Sequence, residues 1–377
     1  MNLDWSSDDN SLLLNPRLQP ATRKMYEAAW ERLVTPHLKS HVGIATSGSS
    51  GAFGKLILLS KKALLTSAAA VNRRFNSNVQ DVWLKKLPDF HVGGLGIHAR
   101  AYLSGAKVFD GASDRWSAAQ FLEECFASGA TLISLVPTQL FDLAQIQAKA
   151  PAQVRAVIIG GGRLEPELYE RATQLGWPLH PSYGMTECCS QIATALNPND
   201  PRLMPLDHVE VKQAEDGRLL VKSDSLLTGQ IVFEPSAQWV DPKSSSWFAT
   251  EDRGGVASDG SLRIEGRLQD FVKIGGEGVV MSRLESQLEK LRAHSRFSGD
   301  AAVLAAFDER LGASVAMLAT GPSDEAQQLF DQFNAAVMPF ERARSLHVLA
   351  KIPRSDLGKL LRSEALLLVG LKPATDR

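Results

Sequence analysis

Residues 45–55 read ATSGSSGAFGK, in which small hydroxyl residues and glycines lead to a single lysine, Lys55. Glycines let backbone N–H groups turn inward into an anion nest. The hydroxyls of Thr46, Ser47, Ser49 and Ser50 add donors, and a lysine is a point charge suited to phosphate. The ordinary nucleotide P-loop, G-x-x-x-x-G-K-[ST], fails here twice. Ser49 stands where its first glycine belongs, and Leu56 stands where its metal-binding hydroxyl belongs. The residue types still make a phosphate grip, and they also suit a plain flexible Gly/Ser loop.

Further segments carry chemistry of their own. SYGMTE (182–187) offers a stacking ring at Tyr183, a hydroxyl at Thr186 and a carboxylate at Glu187 of the kind that holds Mg²⁺. IIGGGR places Gly160, Gly161 and Gly162 after an apolar run, where a flat or phosphate ligand, or simply a tight turn, needs close backbone approach. FATEDRG carries Asp252, a carboxylate able to accept the two hydroxyls of a ribose. GRLQDFVKIGGEG holds a second glycine cluster, and IPRSDLGKLLR puts Lys359 on a turn. His91 stands beside glycines in DFHVGGLG, where core packing is the plainer reading.

These residues need elements to position them. From about residue 80 to 190 the pattern alternates strand and helix. DVWLKKLP, TLISLVP, QVRAVII and WPLHPSYG read as strands, and WSAAQFLEECFASG and EPELYERATQLG read as helices. Continuous apolar runs such as TLISLVP mark strands buried on both faces. The alternation predicts a doubly wound, mostly parallel α/β sheet. Residues 197–262 turn to short alternating runs, expected as antiparallel strands in a small barrel or separate sheet. Beyond them come a helix at SRLESQLEKLRAH, strands at AAVLAAF and ASVAMLAT, a helix at DEAQQLFDQFNAAV and a strand at SLHVLAKIP. That predicts a large N-terminal domain over 1–268 and a small α+β lid domain over 269–377.

Composition is ordinarily globular, with 44% hydrophobic and 22% charged residues and a net charge of −1. No basic block supports nucleic-acid binding. The three cysteines, one adjacent pair among them, form neither a disulfide framework nor a metal knuckle. No apolar run reaches membrane-spanning length, and the acidic start lacks the form of a signal peptide, so a cytoplasmic protein is expected.

In order, the motifs resemble those of the adenylate-forming superfamily of acyl-CoA synthetases, adenylation domains and luciferases. TSGSSGAFGK is similar to T-S-G-[ST]-[ST]-G-x-P-K, SYGMTE to Y-G-x-T-E and FATEDRG to T-G-D. GRLQDFVKIGGEG is similar to G-R-x-x-D-x-I-K-x-x-G, and IPRSDLGKLLR to P-R-T-x-x-G-K-x-x-R. SLVPTQL, PSYGMTECCSQIAT and DFHVGGL look more narrowly like the o-succinylbenzoate–CoA ligases.

The resemblance implies ATP and Mg²⁺ as cofactors, and a carboxylate and coenzyme A as substrates. It implies that Thr46, Ser47, Gly48, Ser49, Ser50, Gly51 and Lys55 wrap the β- and γ-phosphates. Gly160, Gly161, Gly162, Tyr183 and Gly184 would frame the nucleotide, Thr186 would meet the α-phosphate and Glu187 would hold Mg²⁺. Asp252, supported by Arg267, would bind the ribose, and Gln269 would be the hinge. Lys359 would serve the adenylation step, and Gly275 and Gly276 would lie near the thiol entry. His91 would close the acyl pocket, with Thr138 and Ser182 touching the acyl group.

The sequence also departs from that pattern. Gly54 replaces a proline, Glu251 a glycine and Gln269 an Asp or Lys, and VVMSRLE lacks the usual proline. The phosphate loop comes after only about forty residues, which predicts an exposed apolar face that a homodimer would cover. Three rivals stand beside the ligase reading: loading of a carrier thiol, a non-catalytic nucleotide or acyl binder, and a hydrolase using Ser49 or Ser50.

Overall fold

The computed structural model describes residues 3–46, 54–111, 116–233, 236–295, 297–355 and 358–374, with only the backbone of Gln269. The chain divides into two units, one of Met1–Thr250 with Gly255–Arg263 and one of Glu251–Gly254 with Ile264–Arg377.

At the centre of the first unit five parallel strands lie in the order Lys107–Asp110, Val82–Lys85, Leu132–Leu135, Ala156–Ile159, Leu179–Met185. The two middle strands Leu132–Leu135 and Ala156–Ile159 are buried at every position. Their alternate side chains serve two cores. Ile133, Leu135, Val157 and Ile159 join Phe121, Cys125, Leu140 and Ala172 from the helices Ala118–Ser128, Pro137–Gln145 and Pro166–Gln174. Leu132, Ala156 and Ile158 join Val71, Phe75, Ile97 and Ala101 from the helices Lys61–Phe75 and Val92–Ser104. Helices therefore cover both faces, as the continuous apolar runs require. Chain order reverses between Val82–Lys85 and Leu132–Leu135, the switch point beyond which open α/β sheets bind ligands.

The region 197–262 does form short, largely antiparallel strands, but most of them make no separate barrel. The strand Leu179–Met185 pairs in parallel with Ala156–Ile159 through Leu179, His180 and Pro181. Through Ser182–Met185 it then pairs antiparallel with Ser190–Asn197, so one sheet of twelve strands continues into the antiparallel region. One strand thus has two partner types along its length, which local periodicity cannot register. A second sheet holds Ser11–Leu13, His41–Thr46, Lys55–Ser60, Gly229–Val232 and Gln238–Val240.

The second unit packs the helices Met281–His294 and Ser323–Ala336 on the sheet of Ala301–Asp308, Gly312–Ala319 and Ala343–Val348. A hairpin joins Phe271–Ile274 to Glu277–Val280.

Candidate active site

Thr46 and Lys55 are Cα partners in the antiparallel ladder. The loop between them therefore has both ends fixed by the sheet. Ser47, Gly48, Ser49, Ser50 and Gly51 lie outside the described residues. Gly54 is described, and a Cβ there would run into the backbone carbonyl of Thr46. The glycine that departs from the family proline is thus demanded by the strand pairing.

The other first-unit candidates gather at the carboxyl edge of the parallel strands. Gly160, Gly161 and Gly162 follow Ile159, and Gly161 has φ of +77°, which favours glycine. A Cβ on Gly160 would sit 2.7 Å from Ser182 Oγ, and that hydroxyl donates to Ile159 O at 3.0 Å. Ser182 therefore locks the glycine turn to the next strand. Tyr183 and Gly184 continue that strand, and a Cβ on Gly184 would meet the carbonyl of Ser190. Thr186 and Glu187 occupy the 3₁₀ turn Thr186–Cys188, where the Glu187 carbonyl accepts Leu227 N–H at 2.8 Å. Thr138 is exposed in the first turn of Pro137–Gln145, directly beyond the switch point. His91 is the residue before the helix Val92–Ser104, its ring 4.7 Å from that of Phe90.

One residue here escaped the sequence reading. Arg100 is 2% exposed, sits 5.3 Å over the Trp83 ring and donates to Ser134 Oγ at 3.5 Å and Ser190 Oγ at 3.3 Å. No carboxylate among the described residues pairs with it, and its Nε has no partner. Burial lowers its pKa to about 10. Ser190 pairs in register with Met185, the neighbour of Thr186, so a fully buried cation lies beside the SYGMTE turn. A charged residue inside the apolar stretch VGGLGIHARAYL was the available signal.

In the second unit, Asp252 and Arg267 come together with Lys359. Arg267 Nε lies 3.7 Å from Asp252 Oδ1, and its Nη1 lies 3.7 Å from Glu251 Oε2. The Arg267 N–H donates to Asp270 Oδ2 at 3.0 Å, closing the 3₁₀ turn Leu268–Asp270 that contains Gln269. Lys359 closes a turn in which Ser355 N–H donates to its carbonyl at 2.7 Å. Arg354 anchors the turn through two bonds to Asp300, at 2.7 and 2.8 Å. The Lys359 side chain reaches the surface, yet the surrounding protein lowers its pKa by desolvation, and the Arg267 and Arg362 charges lower it further. Asp270 and Glu251 oppose that shift. Gly275 and Gly276 form the two-residue hairpin turn between Ile274 and Glu277, with φ of +61° and +92°. Such a turn asks for glycine whatever else it does.

A family model described as "AMP-binding enzyme" matches residues 39–234. The chain belongs to the AMP-binding enzyme family. It is similar to a 2-succinylbenzoate–CoA ligase of Enterococcus faecalis, 26% identical over 366 residues, covering 92% of this chain and 73% of that one. It is 34% identical over 269 residues to one of Salmonella typhimurium, covering 69% of this chain and 53% of the relative. Among solved structures, the Bacillus subtilis o-succinylbenzoate CoA synthetase in complex with AMP gives a TM-score of 0.72 at 25% identity, covering 86% of this chain and 68% of that one. The same enzyme with the acyl-adenylate gives a TM-score of 0.78 at 23% identity, which speaks for the fold. Both resemblances read from the motifs, the broad one and the narrow one, are borne out.

Proposed function

We propose that the chain is an acid–thiol ligase that adenylates o-succinylbenzoate with ATP and transfers the acyl group to coenzyme A. The observation that carries this reading is the gathering of Gly160–Gly162, Tyr183, Thr186 and Glu187 at the carboxyl edge of the parallel strands, in a chain whose relatives are 2-succinylbenzoate–CoA ligases. Arg100 supports the substrate. o-Succinylbenzoate has two carboxylates, and the one that is not activated needs a cation. A buried guanidinium without a carboxylate of its own supplies one.

In this reading the succinyl carboxylate attacks the α-phosphate and pyrophosphate leaves. Thr186 faces the α-phosphate, and the loop from Thr46 to Lys55 grips the β- and γ-phosphates. Glu187 is a half-buried carboxylate on a turn fixed by Leu227, which fits Mg²⁺ bound by one carboxylate together with substrate phosphates. A magnesium ion held there by Glu187 would supply charge neutralisation at the phosphates. Asp252, oriented by Arg267, takes the ribose hydroxyls, and Lys359 offsets charge developing at the α-phosphate. Gly160–Gly162 and Tyr183 frame the adenine, and Gly184 beside them allows the close approach of the Ser190 backbone. His91, Thr138 and Ser182 line the acyl side. In the second step coenzyme A thiolate attacks the acyl-adenylate and releases AMP, with Gly275 and Gly276 beside the thiol path. Gln269, beside the 263/264 division, is the hinge candidate.

We read the protein as cytoplasmic, with small-molecule partners and neither nucleic acid nor membrane. No described helix is long and apolar enough to cross a membrane. A homodimer would cover exposed Tyr102, Leu103 and Phe109 on and beside the edge strand Lys107–Asp110.

The test is pyrophosphate release from Mg-ATP with o-succinylbenzoate, with and without coenzyme A, against a panel of aryl and fatty acids. Release with o-succinylbenzoate and formation of its thioester are expected. Release only with another acid overturns the substrate, loading of a carrier thiol overturns the acceptor, and ATP binding without release overturns catalysis.

A further inference from the structure

At the carboxyl ends of the strands Val82–Lys85 and Lys107–Asp110, one strand from the switch point, lies a polar cluster that the adenylation reading leaves unused. Asp89 Oδ1 accepts from Lys85 Nζ at 2.8 Å and from His98 Nε2 at 3.0 Å. Lys85 Nζ also lies 3.2 Å from Asp110 Oδ1. The Lys85 side chain is 5% exposed and His98 16%. Lys85 and Asp110 are register partners at the carboxyl ends of adjacent parallel strands, and His98 lies in the second turn of the helix Val92–Ser104.

Asp89, His98 and Asp110 are also of the types that ligate metals, with their ligand atoms within 4.8 Å of one another. The Lys85 ammonium already bonds both carboxylates, so the cluster carries its own cation. Its geometry serves a different end. Asp89 lies four residues after Lys85 and two before His91, in the connection from strand to helix. That connection is wound tightly on the first turn of the helix. His91 N–H donates to Pro88 O at 3.1 Å, and Gly94 and Leu95 N–H donate to His91 O at 3.0 and 2.9 Å. A Cβ on Gly94 would meet the carbonyls of Leu87 and Pro88, and one on Gly93 would sit 2.9 Å from Leu87 Cδ1. The backbone thus hugs the helix start, and a single carboxylate ties it to the strand end on one side and to the helix on the other.

We propose that Asp89 is a positioning residue, a clasp between Lys85 and His98 that fixes where His91 is presented to the acyl substrate. The inference rests on the acyl-side reading of His91. In Asp89→Asn, the Lys85 ammonium keeps Asp110, so the strand ends stay paired while the tie to the helix weakens. In His98→Leu the tie is lost from the helix side, and His98→Gln restores a donor.

Two measurements test this on the full chain. In hydrogen exchange, amides of residues 86–95 exchange at least tenfold faster in Asp89→Asn and His98→Leu, near wild-type rates in His98→Gln, with the remaining strands unchanged. In kinetics, KM for the acid rises about tenfold in the first two variants while KM for ATP stays within twofold. Unchanged exchange at 86–95 overturns the clasp, as does a uniform loss of protection or an equal rise in both KM values. If Asp89→Asn does not fold, the His98 pair decides alone. The exchange readout needs no turnover, so an enzyme inactive on every acid would sink the proposed function and leave the clasp judged by exchange.

Discussion

Thr46 and Lys55 face each other on one rung of the ladder between His41–Thr46 and Lys55–Ser60, and Gly54 turns into that rung with no room for a Cβ. The two ends of the candidate phosphate loop are therefore set by strand pairing. Gly54→Ala must push the Thr46 carbonyl aside, and Gly54→Pro, which recreates the usual family residue, must do so too. Both are expected to raise KM for ATP at least tenfold and leave KM for the acid within a few-fold. Steady-state kinetics with each substrate varied in turn checks this. A Gly54→Pro enzyme with wild-type affinity for ATP would show that the loop tolerates the family residue after all.

The environment of Lys359 sets a pH dependence. Desolvation, with Arg267 and Arg362, lowers its pKa below the ordinary lysine value. The ammonium is the form that neutralises phosphoryl charge, so adenylation falls as pH rises through that lowered pKa. Lys359→Arg should carry the fall to higher pH, because a guanidinium stays charged. Lys359→Ala should lose adenylation by about 100-fold or more. It should still form thioester from supplied acyl-adenylate. Single-turnover measurement of each half-reaction across pH decides the matter, and equal loss in both halves counts against an adenylation role.

Much of this was legible in the sequence because hydroxyl and glycine spacing around Lys55, Thr186 and Lys359 is local information. So was the parallel core, since the short runs LISL and AVII, flanked by turn residues, read as strands buried on both faces and are buried at every position. The start of the helix Lys61–Phe75 was hidden at the end of the apolar stretch KLILLSKKALL, although Ser60 caps it by accepting Ala63 N–H at 3.0 Å. Arg100 was missed because its meaning lies in what does not face it. The cluster of Lys85, Asp89, His98 and Asp110 was missed because two strand ends and a helix must first be brought together.

Arg100 gives a prediction with two opposite signs. An unpaired buried charge costs stability, and replacing it by an apolar residue of similar volume relieves that cost. Arg100→Met should therefore hold or raise the melting temperature of the free protein. The same change should raise KM for o-succinylbenzoate by about 30-fold or more, the scale of losing one partner of a buried charge pair. Aryl acids with a single carboxylate should feel little of it. Thermal melts with and without o-succinylbenzoate separate the effects, since the ligand should stabilise wild type and lose that hold on the variant. A destabilised variant with unchanged KM would make Arg100 a structural residue.

Asp89 offers a stability test with a defined pH window. Burial works to raise its pKa, but hydrogen bonds from His98 and Lys85, with their charges, overcome this and bring it from 3.8 to about 2. A carboxylate whose folded pKa is depressed adds stability that is fully present above the unfolded value. That stability is lost as pH falls through the folded value. The shift corresponds to at most about 2 kcal/mol at neutral pH, for a side chain that is 27% exposed. Asp89→Asn should be less stable than wild type by up to that amount at pH 7. The gap should narrow as pH drops from 4 toward 2, because protonation of wild-type Asp89 removes the same charge. Urea unfolding at a series of pH values measures it. A gap that stays constant down to acid pH would mean that the substitution costs only packing and that the carboxylate charge does not hold Lys85 and His98 together.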